Sequence, residues 1–432
     1  MSTPTMLFDS ARHEPLRSIA WDADAARACI QHVVADAEGR FDPVHFWPAH
    51  PRDRAADASS PVGLTPLYHG ACGAAWALLY LQDVGAATLQ RDYIPYLDAA
   101  RSHNQAWLGE VAEEAAPSYM MGDTPFLLMQ WARASDRSGL EDRLAQLITG
   151  NRDQPCRELM WGSPGTLLAA LFLQGRSGDA RWAELFVQTA AKLWSQLLWS
   201  EEFQCHYWTQ DMYDRLSTYL DGVHGFVATA FVLIKGRHLL PPQDWQAWER
   251  CIEQTMARTA TEAGGLANWR AQLITAAGEK PRLLMQFCHG APGFVICLAE
   301  LPGPALDALL LRAGEAIWAA GPLTKGANLC HGTGGNGYAF LKLYQRTGDA
   351  LWLQRARAFA MHGIAQTAAE RTQHGQGQYS LWTGDLGFAI YLWDCLTGEP
   401  RFPTLDVFFA DANGRKGALA GATGRATAPP GL

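Results

Sequence analysis

A short glycine motif recurs seven times along this chain of 432 residues, each time directly before an apolar stretch. Six copies read Gly-x-x-Gly and one is degenerate, and successive copies lie 52, 40, 60, 68, 42 and 52 residues apart. The copies begin at Gly70, Gly122, Gly162, Gly222, Gly290, Gly332 and Gly384. Internal periods of this size indicate a repeat architecture in which each unit is one supersecondary element.

Two of the units show what one repeat contains. The sequence Gly-Asp-Ala-x-Trp begins sixteen residues after Gly162 and again sixteen residues after Gly332. Each of these units therefore predicts a helix, a Gly-Asp corner and a second helix with an apolar stripe near 3.6-residue spacing. No series of alternating β-branched strands accompanies them, so the predicted fold class is all-α. Seven such hairpins can stack as an open solenoid or close into an α/α ring with the glycine motifs around its centre.

The repeats divide the chain into three regions. Residues 1–65 fit no repeat and are expected to form a helix and an irregular segment that pack on the repeats. Residues 66–402 carry all seven motifs and are expected to form the toroid. Residues 403–432 turn to Gly, Ala, Arg and Pro, which predicts a disordered tail.

Composition excludes several classes of protein. The net charge is -8 and no Lys/Arg-rich block is present, so neither nucleic acid nor an anionic membrane is an expected partner. No apolar run approaches 18 residues, and the first fifteen residues lack a secretory pattern, so no membrane span or signal is expected. The nine cysteines show no disulfide-scaffold spacing, which favours a reducing, cytoplasmic location. Composition says nothing about the oligomeric state.

The tripeptide Cys-His-Gly occurs twice, at Cys288 and at Cys330, each time at the start of a predicted helix. Thiolate and imidazole are the ligands that zinc prefers in a tetrahedral site. Two cysteines and one histidine leave a fourth coordination position open, which is typical of catalytic zinc rather than structural zinc. The sequence therefore predicts a bound Zn²⁺.

With these motifs the chain resembles the lanthionine synthetase C-like family, and in particular its eukaryotic-type branch associated with glutathione. The resemblance covers roughly residues 67–396, with all seven motifs in the family's order. Its most specific segments are residues 286–293, 325–332, 336–341 and 223–225, and residues 121–124 and 380–384 match more weakly. The resemblance implies a toroid of seven helical hairpins around one central zinc, with Cys288, Cys330 and His331 as its ligands.

The resemblance also implies an activity. Members of this kind add a thiol to a dehydroalanine or dehydrobutyrine side chain and so form a thioether. The thiol is a cysteine of the same peptide in the peptide-modifying members and glutathione in the eukaryotic-type branch. The expected partners are therefore a dehydrated peptide or protein and glutathione or another thiol. Zinc would favour the thiolate at neutral pH, and a histidine would suit the proton transfer to the α-carbon.

Four further residues are candidates for roles in this chemistry. His224 occupies the family's acid/base position and Asp123 is a candidate catalytic or orienting carboxylate. His289 is a candidate substrate-binding residue beside a cysteine ligand, and Lys325 matches a basic position linked to glutathione contact.

The chain departs from the peptide-cyclising members at three positions. Leu284 stands where those members have an arginine, and Asp123 follows its glycine instead of preceding it. Thr383 replaces a common glutamate in the last motif. These departures favour an intermolecular thiol over a ring-closing cysteine.

Two other functions are compatible with a helical ring. One is a carbohydrate-active toroid, since the chain has 17 Trp and Asp123, Asp221 and Asp385 flank glycine motifs. Glycoside cleavage needs two carboxylates that flank one bond, and it gives the repeated Cys-His-Gly no role. The other is a non-catalytic scaffold that binds zinc and glutathione or a partner protein.

Overall fold

A computed structural model describes residues 7–53, 63–111, 116–275 and 283–410 of the chain. Fourteen α-helices in these residues form two concentric rings. The inner ring contains α2 (Ala71–Asp83), α4 (Thr124–Arg133), α6 (Ser163–Ser177), α8 (Phe226–Lys235), α10 (Ala291–Leu298), α12 (Thr333–Thr347) and α14 (Asp385–Thr397). The outer ring contains α1 (Ala23–Gly39), α3 (Leu97–Val111), α5 (Ser138–Gly150), α7 (Ala180–Ser195), α9 (Pro242–Thr259), α11 (Asp307–Ala320) and α13 (Ala350–His374).

The inner helices close on themselves. Each packs against the next along the chain, and the last, α14, packs against the first, α2. Most of their residues are buried on every side, as expected for helices enclosed by a second layer. The structure is therefore a closed α/α toroid, and the predicted fold class is confirmed.

The outer helix of the last unit comes from the beginning of the chain. In the first six units an inner helix is followed by the outer helix that covers it, whereas α14 is covered by α1. An ion pair between Asp36 of α1 and Arg371 of α13 (2.6 Å) reinforces this closure. The seventh hairpin thus joins two ends of the sequence, which no local pattern could reveal.

The Gly-Asp corners have the predicted structure. Gly178 and Gly348 adopt left-handed conformations with φ of 71° and 73°, where a side chain would be strained. Asp179 and Asp349 follow as N-caps of α7 and α13, and each side chain accepts a backbone N–H of the new helix. The corner therefore ends one helix and starts the next within two residues.

Eight short strands, which the sequence did not predict, form four two-stranded antiparallel hairpins between the helices. They are β1 (Leu198–Ser200) with β2 (Cys205–Tyr207), β3 (Gln210–Met212) with β4 (Arg215–Ser217), β5 (Ala260–Ala263) with β6 (Leu266–Trp269), and β7 (Met285–Gln286) with β8 (His289–Gly290). With two to four residues each, they are too short to produce a recognisable alternation.

Residues 403–410 are packed into the barrel, so the predicted tail was placed to begin too early. Phe402, Leu405 and Phe408 are buried, and the Phe408 carbonyl accepts the indole N–H of Trp76 (3.0 Å). Residues 411–432 of the expected tail lie outside the described part of the chain. Within the described part, no helix is both long enough and apolar enough to cross a membrane.

Candidate metal centre and active site

The seven inner helices begin around one end of the barrel, and their starts define a common register. The N-cap residues are Gly70, Asp123, Gly162, Gly225, Gly290, Gly332 and Gly384. In six units the N-cap is the first glycine of the motif or the residue beside it. In the fourth unit it is the second glycine, Gly225, so the sequence-based register of that unit was wrong by three residues. The residue before the N-cap is a histidine in four units: His69, His224, His289 and His331.

Backbone hydrogen bonds tie the seven entry loops into a belt. Buried backbone groups in irregular segments need such partners, and here six bonds link the seven loops in a row. The bonds run from Leu159 N–H to Val223 O (3.1 Å), Met120 to Met160 (3.2 Å), Tyr68 to Met120 (3.1 Å), Trp382 to Tyr68 (3.1 Å), Cys330 to Trp382 (2.9 Å) and Cys288 to Cys330 (3.0 Å). Residues far apart in the chain are thereby held at fixed positions at this end of the barrel.

The second glycine of the motif allows this belt to lie close to the helices. A Cβ atom on Gly293 would lie 2.1 Å from the carbonyl oxygen of Phe287, and one on Gly335 would lie 1.9 Å from that of Leu329. These carbonyls belong to the residues just before Cys288 and Cys330. Glycine is therefore required for the loops to place the two cysteines where they are.

Cys288, Cys330 and His331 converge at the centre of the belt. Their Sγ and ring nitrogen atoms all lie within 4.8 Å of one another, and they form the one group of three or more potential ligands found among the described residues. Both cysteines are buried. This spacing and donor set suit a metal ion that prefers sulfur and nitrogen ligands.

Each of the two sulfurs accepts a hydrogen bond from a neighbouring side chain. Tyr68 donates its hydroxyl to Cys330 Sγ (2.8 Å), and Gln286 donates its amide to Cys288 Sγ (2.9 Å). Without a cation, the neighbouring Cys330 sulfur and burial hold the pKa of the Cys288 thiol well above its ordinary value. A bound cation would remove this obstacle, so the residues present fit a metal ion.

His224 lies near this cluster and is held by a buried carboxylate that no sequence motif had indicated. Its Nδ1 lies 2.8 Å from Glu158 Oε2, and Glu158 is fully buried. Glu158 also accepts the backbone N–H groups of Met160 (2.9 Å) and Trp161 (2.5 Å), so it remains a hydrogen-bond acceptor and Nδ1 donates to it. Burial lowers the pKa of His224, but Glu158 and then Asp221 outweigh burial, and the pKa lies above its ordinary value.

His289 forms a second pair of the same kind. Its Nδ1 lies 2.7 Å from Asp221 Oδ2, while Asp221 Oδ1 accepts the backbone N–H of His224 (2.8 Å). Burial lowers the pKa of His289, but the charge and hydrogen bond of Asp221 outweigh it and raise the pKa. The ring of Tyr219 lies between the two histidines, with its centroid 5.7 Å from that of His224 and 5.9 Å from that of His289.

Two of the sequence-predicted site residues lie apart from these pairs. Asp123 is buried and its Oδ2 accepts the amide of Gln105 (2.6 Å) in α3, while its other oxygen has no hydrogen-bond partner among the described residues. Lys325 is exposed and lines a cleft with Arg52 and Gln378, on the side of the α12 and α14 entry loops. The structure therefore brings together Cys288, Cys330, His331, His224 and His289, and it places Asp123 and Lys325 outside that group.

The missed carboxylate had a positional signal. Glu158, Asp221 and Asn328 each lie four residues before an N-cap glycine, and each side chain accepts backbone N–H groups of its own entry loop. Gln286 occupies the same position in its unit. Aligning the fourth unit on Gly225 instead of Gly222 brings Asp221 into this set.

The chain belongs to the lanthionine synthetase C-like family. The family model of lanthionine synthetase C-like proteins matches residues 62–407. The chain is 26% identical to glutathione S-transferase LANCL1 of Danio rerio over 79% of this chain and 84% of that protein. It is 34% identical to LanC-like protein GCL1 of Arabidopsis thaliana over 29% of this chain and 30% of that protein.

Nisin cyclase shares the fold. Its solved structure superposes with a TM-score of 0.54 at 13% identity, covering 81% of this chain and 94% of that one. This likeness supports the closed α/α toroid seen here.

Proposed function

We propose that this protein catalyses the zinc-dependent addition of a thiol, most simply glutathione, to dehydroalanine or dehydrobutyrine residues. The observation that carries the proposal is the group of Cys288, Cys330 and His331 beside two histidine–carboxylate pairs at one end of the barrel. Zn²⁺ held by these three ligands would supply the positive charge that keeps an incoming thiol ionised at neutral pH.

The protein's own groups would complete the addition. A sulfur–carbon bond forms at the β-carbon, the carbon–carbon π bond breaks, and the α-carbon takes a proton. His224 would donate that proton from Nε2, because its Nδ1 is committed to Glu158. Because the pKa of His224 is raised, its protonated, proton-donating form persists to a higher pH than that of a free histidine.

Two observations favour glutathione over a cysteine of the substrate peptide. The zebrafish relative that aligns with most of this chain is named as a glutathione S-transferase. Leu284 stands where peptide-cyclising members carry an arginine, and its carbonyl accepts the amide of Asn268 (2.9 Å). We propose Lys325 as a contact for glutathione, since its exposed ammonium lies on the rim of the cleft beside the α12 entry loop.

Little in the described contacts favours the carbohydrate alternative. Each of the three aspartates near glycine motifs has a separate partner: Gln105 for Asp123, His289 for Asp221 and Arg371 for Asp385. None of these contacts pairs two carboxylates across a shared space, which glycoside cleavage would need.

Mass spectrometry of a dehydroalanine peptide incubated with glutathione and the zinc-loaded protein tests the proposal. The expected result is a mass increase of one glutathione that depends on both the protein and the metal. Adduct formation no faster than in the absence of protein, with cysteine also tried as the thiol, would leave the non-catalytic scaffold as the better account.

A further inference from the structure

The exposed apolar side chains of this protein are not scattered evenly. Nine large hydrophobic residues are exposed in the described part of the chain, and six of them lie between positions 194 and 274. They include Tyr213 (64% exposed) and Leu216 (69%) in the β3–β4 hairpin and Ile274 (47%) on a neighbouring segment. Single exposed apolar residues need no explanation, but a group beside a reactive site indicates an interaction surface.

The tip of the hairpin lies beside His224. Tyr213 and Asp214 form its turn, with φ of 55° and 54°, as two-residue hairpin turns require. The Tyr213 hydroxyl accepts the indole N–H of Trp161 (2.9 Å), and its ring stands edge-on to His224 with the centroids 6.4 Å apart. The turn therefore connects the hairpin to the candidate proton donor.

One edge of the hairpin is occupied by its own chain. On β3, the N–H of Asp211 donates to the Pro155 carbonyl (3.1 Å), and the Cys156 thiol donates to the Asp211 carbonyl (3.2 Å). Both backbone groups of Asp211 thus point away from β4. Asp211 is the register partner of Leu216.

The other edge is paired with residues 271–273 at Thr218 and Leu220, but at Leu216 it has no backbone partner among the described residues. In an antiparallel pair, a residue whose N–H and C=O point outward faces a partner whose groups also point outward. The backbone groups of Leu216 therefore point away from β3, and no described residue outside the hairpin forms a backbone hydrogen bond to them. The segment carrying Ile274 is bonded next to it, since the Ile274 N–H donates to Thr218 Oγ1 (2.9 Å).

We propose that β4 is the docking strand for the polypeptide that carries the dehydrated residue. An extended segment would add to the open edge at Leu216 through its backbone and lay an apolar side chain against Leu216. This inference rests on the proposed function and names its substrate as an extended polypeptide rather than a small molecule. At about 3.3 Å per residue, the three positions from Leu216 to Tyr213 place the anchoring side chain about three residues from the one that reaches His224.

The test compares three acceptors with the zinc-loaded protein and glutathione. They are a dehydroalanine peptide with leucine three residues to either side, the same peptide with serine at those positions, and N-acetyl-dehydroalanine methylamide. Leu216→Ser should lower kcat/KM for the leucine peptide by about tenfold, because a leucine-sized apolar contact is lost. The same change should leave the small acceptor unaffected. Leu351→Ser, an exposed leucine of α13 (41% exposed), is the matched control and should alter neither.

Equal rates for the leucine and serine peptides, or equal losses on the peptide and the small acceptor in Leu216→Ser, would overturn the docking proposal. A peptide-binding measurement distinguishes failure of the docking proposal from failure of the proposed function. If the wild type modifies no acceptor, fluorescence anisotropy with the labelled leucine peptide still decides the matter. Weaker binding to Leu216→Ser than to wild type and Leu351→Ser supports docking, and equal binding to all three overturns it.

Discussion

Single side chains of the candidate site depend on partners from distant parts of the chain. Cys330 receives a hydrogen bond from Tyr68, which lies 262 residues earlier, and His224 is held by Glu158, 66 residues earlier. Ligands and acid/base groups act only when such second contacts fix their orientation and protonation. Substitutions at these residues should therefore separate metal binding from proton transfer.

Cys330→Ala should lose the bound zinc, because two remaining ligands hold the ion far less tightly than three. The measurement is elemental analysis of the purified protein, with one zinc per wild-type chain expected. Cys297→Ala, which removes a buried thiol of α10 outside the cluster, should keep its zinc. The helical ring should survive metal loss in circular dichroism, and full zinc in Cys330→Ala would refute the ligand assignment.

His224→Ala should reduce turnover by about 10²–10⁴ while zinc content stays at the wild-type level, because the change removes a proton donor and no ligand. Steady-state kinetics with the dehydroalanine peptide measure the loss. His206→Ala is the control, because His206 lies on β2 and is not part of the candidate site. Normal activity in His224→Ala would return this residue to a purely structural role.

Glu158→Gln should move the alkaline limb of the kcat/KM profile to lower pH. Glu158 raises the pKa of His224, and activity that needs the imidazolium is lost as the pH rises through that pKa. Replacing the carboxylate with an amide keeps a hydrogen-bond acceptor but removes the charge, so the pKa falls. A limb that stays in place, with zinc content unchanged, would show that Glu158 has no electrostatic influence on the reaction.

At the scale of elements, glycine is needed for space at some positions and for its left-handed backbone conformation at others. Gly335 lies against a backbone carbonyl, so its missing side chain is a matter of space. Gly348 follows the last residue of α12, and a Cβ atom added to it would have no other atom within 4 Å. Glycine is needed there because the backbone is left-handed, with φ of 73°.

Gly348→Ala should lower the free energy of unfolding by about 1 kcal/mol, since alanine resists the left-handed conformation. Gly109→Ala is the matched control, because this exposed glycine lies within α3 with helical backbone and open space around it. That change should stabilise the protein by about 0.5–1 kcal/mol. Urea unfolding of both variants measures the difference, and effects of the same sign would contradict this explanation of the corner.

At the scale of the whole molecule, residues 402–410 pack inside the barrel, against the C-terminal halves of α8 and α12. Asp406 and Glu300 form ion pairs there with Lys342 and Lys235, and Lys342 is almost fully buried. Burial raises the pKa of Glu300, but Lys342 and Lys235 outweigh it and hold that pKa at about 2. Two positive and two negative charges thus balance inside the protein.

Lys342→Met should destabilise the protein by about 3 kcal/mol, because it leaves the buried Asp406 and the partly buried Glu300 with one cation between them. Glu300→Gln alone should also destabilise it. The double variant keeps one lysine and one aspartate, so its loss should be smaller than the sum of the single losses, as a double-mutant cycle in urea would show. Strict additivity would mean that the four groups do not act as a unit.

Local sequence determined the repeat, the helix pairs with their Gly-Asp corners, and the two cysteines of the metal cluster. These features depend on neighbours a few residues apart, through helical periodicity, capping and the need for glycine. Tertiary structure alone decided that α1 covers α14, that residues 402–410 fill the barrel, and that Glu158 holds His224. Each of these features results from contacts between segments far apart in the chain. Those contacts are stabilised by shared burial and paired charge, which neither segment's own sequence pattern can show.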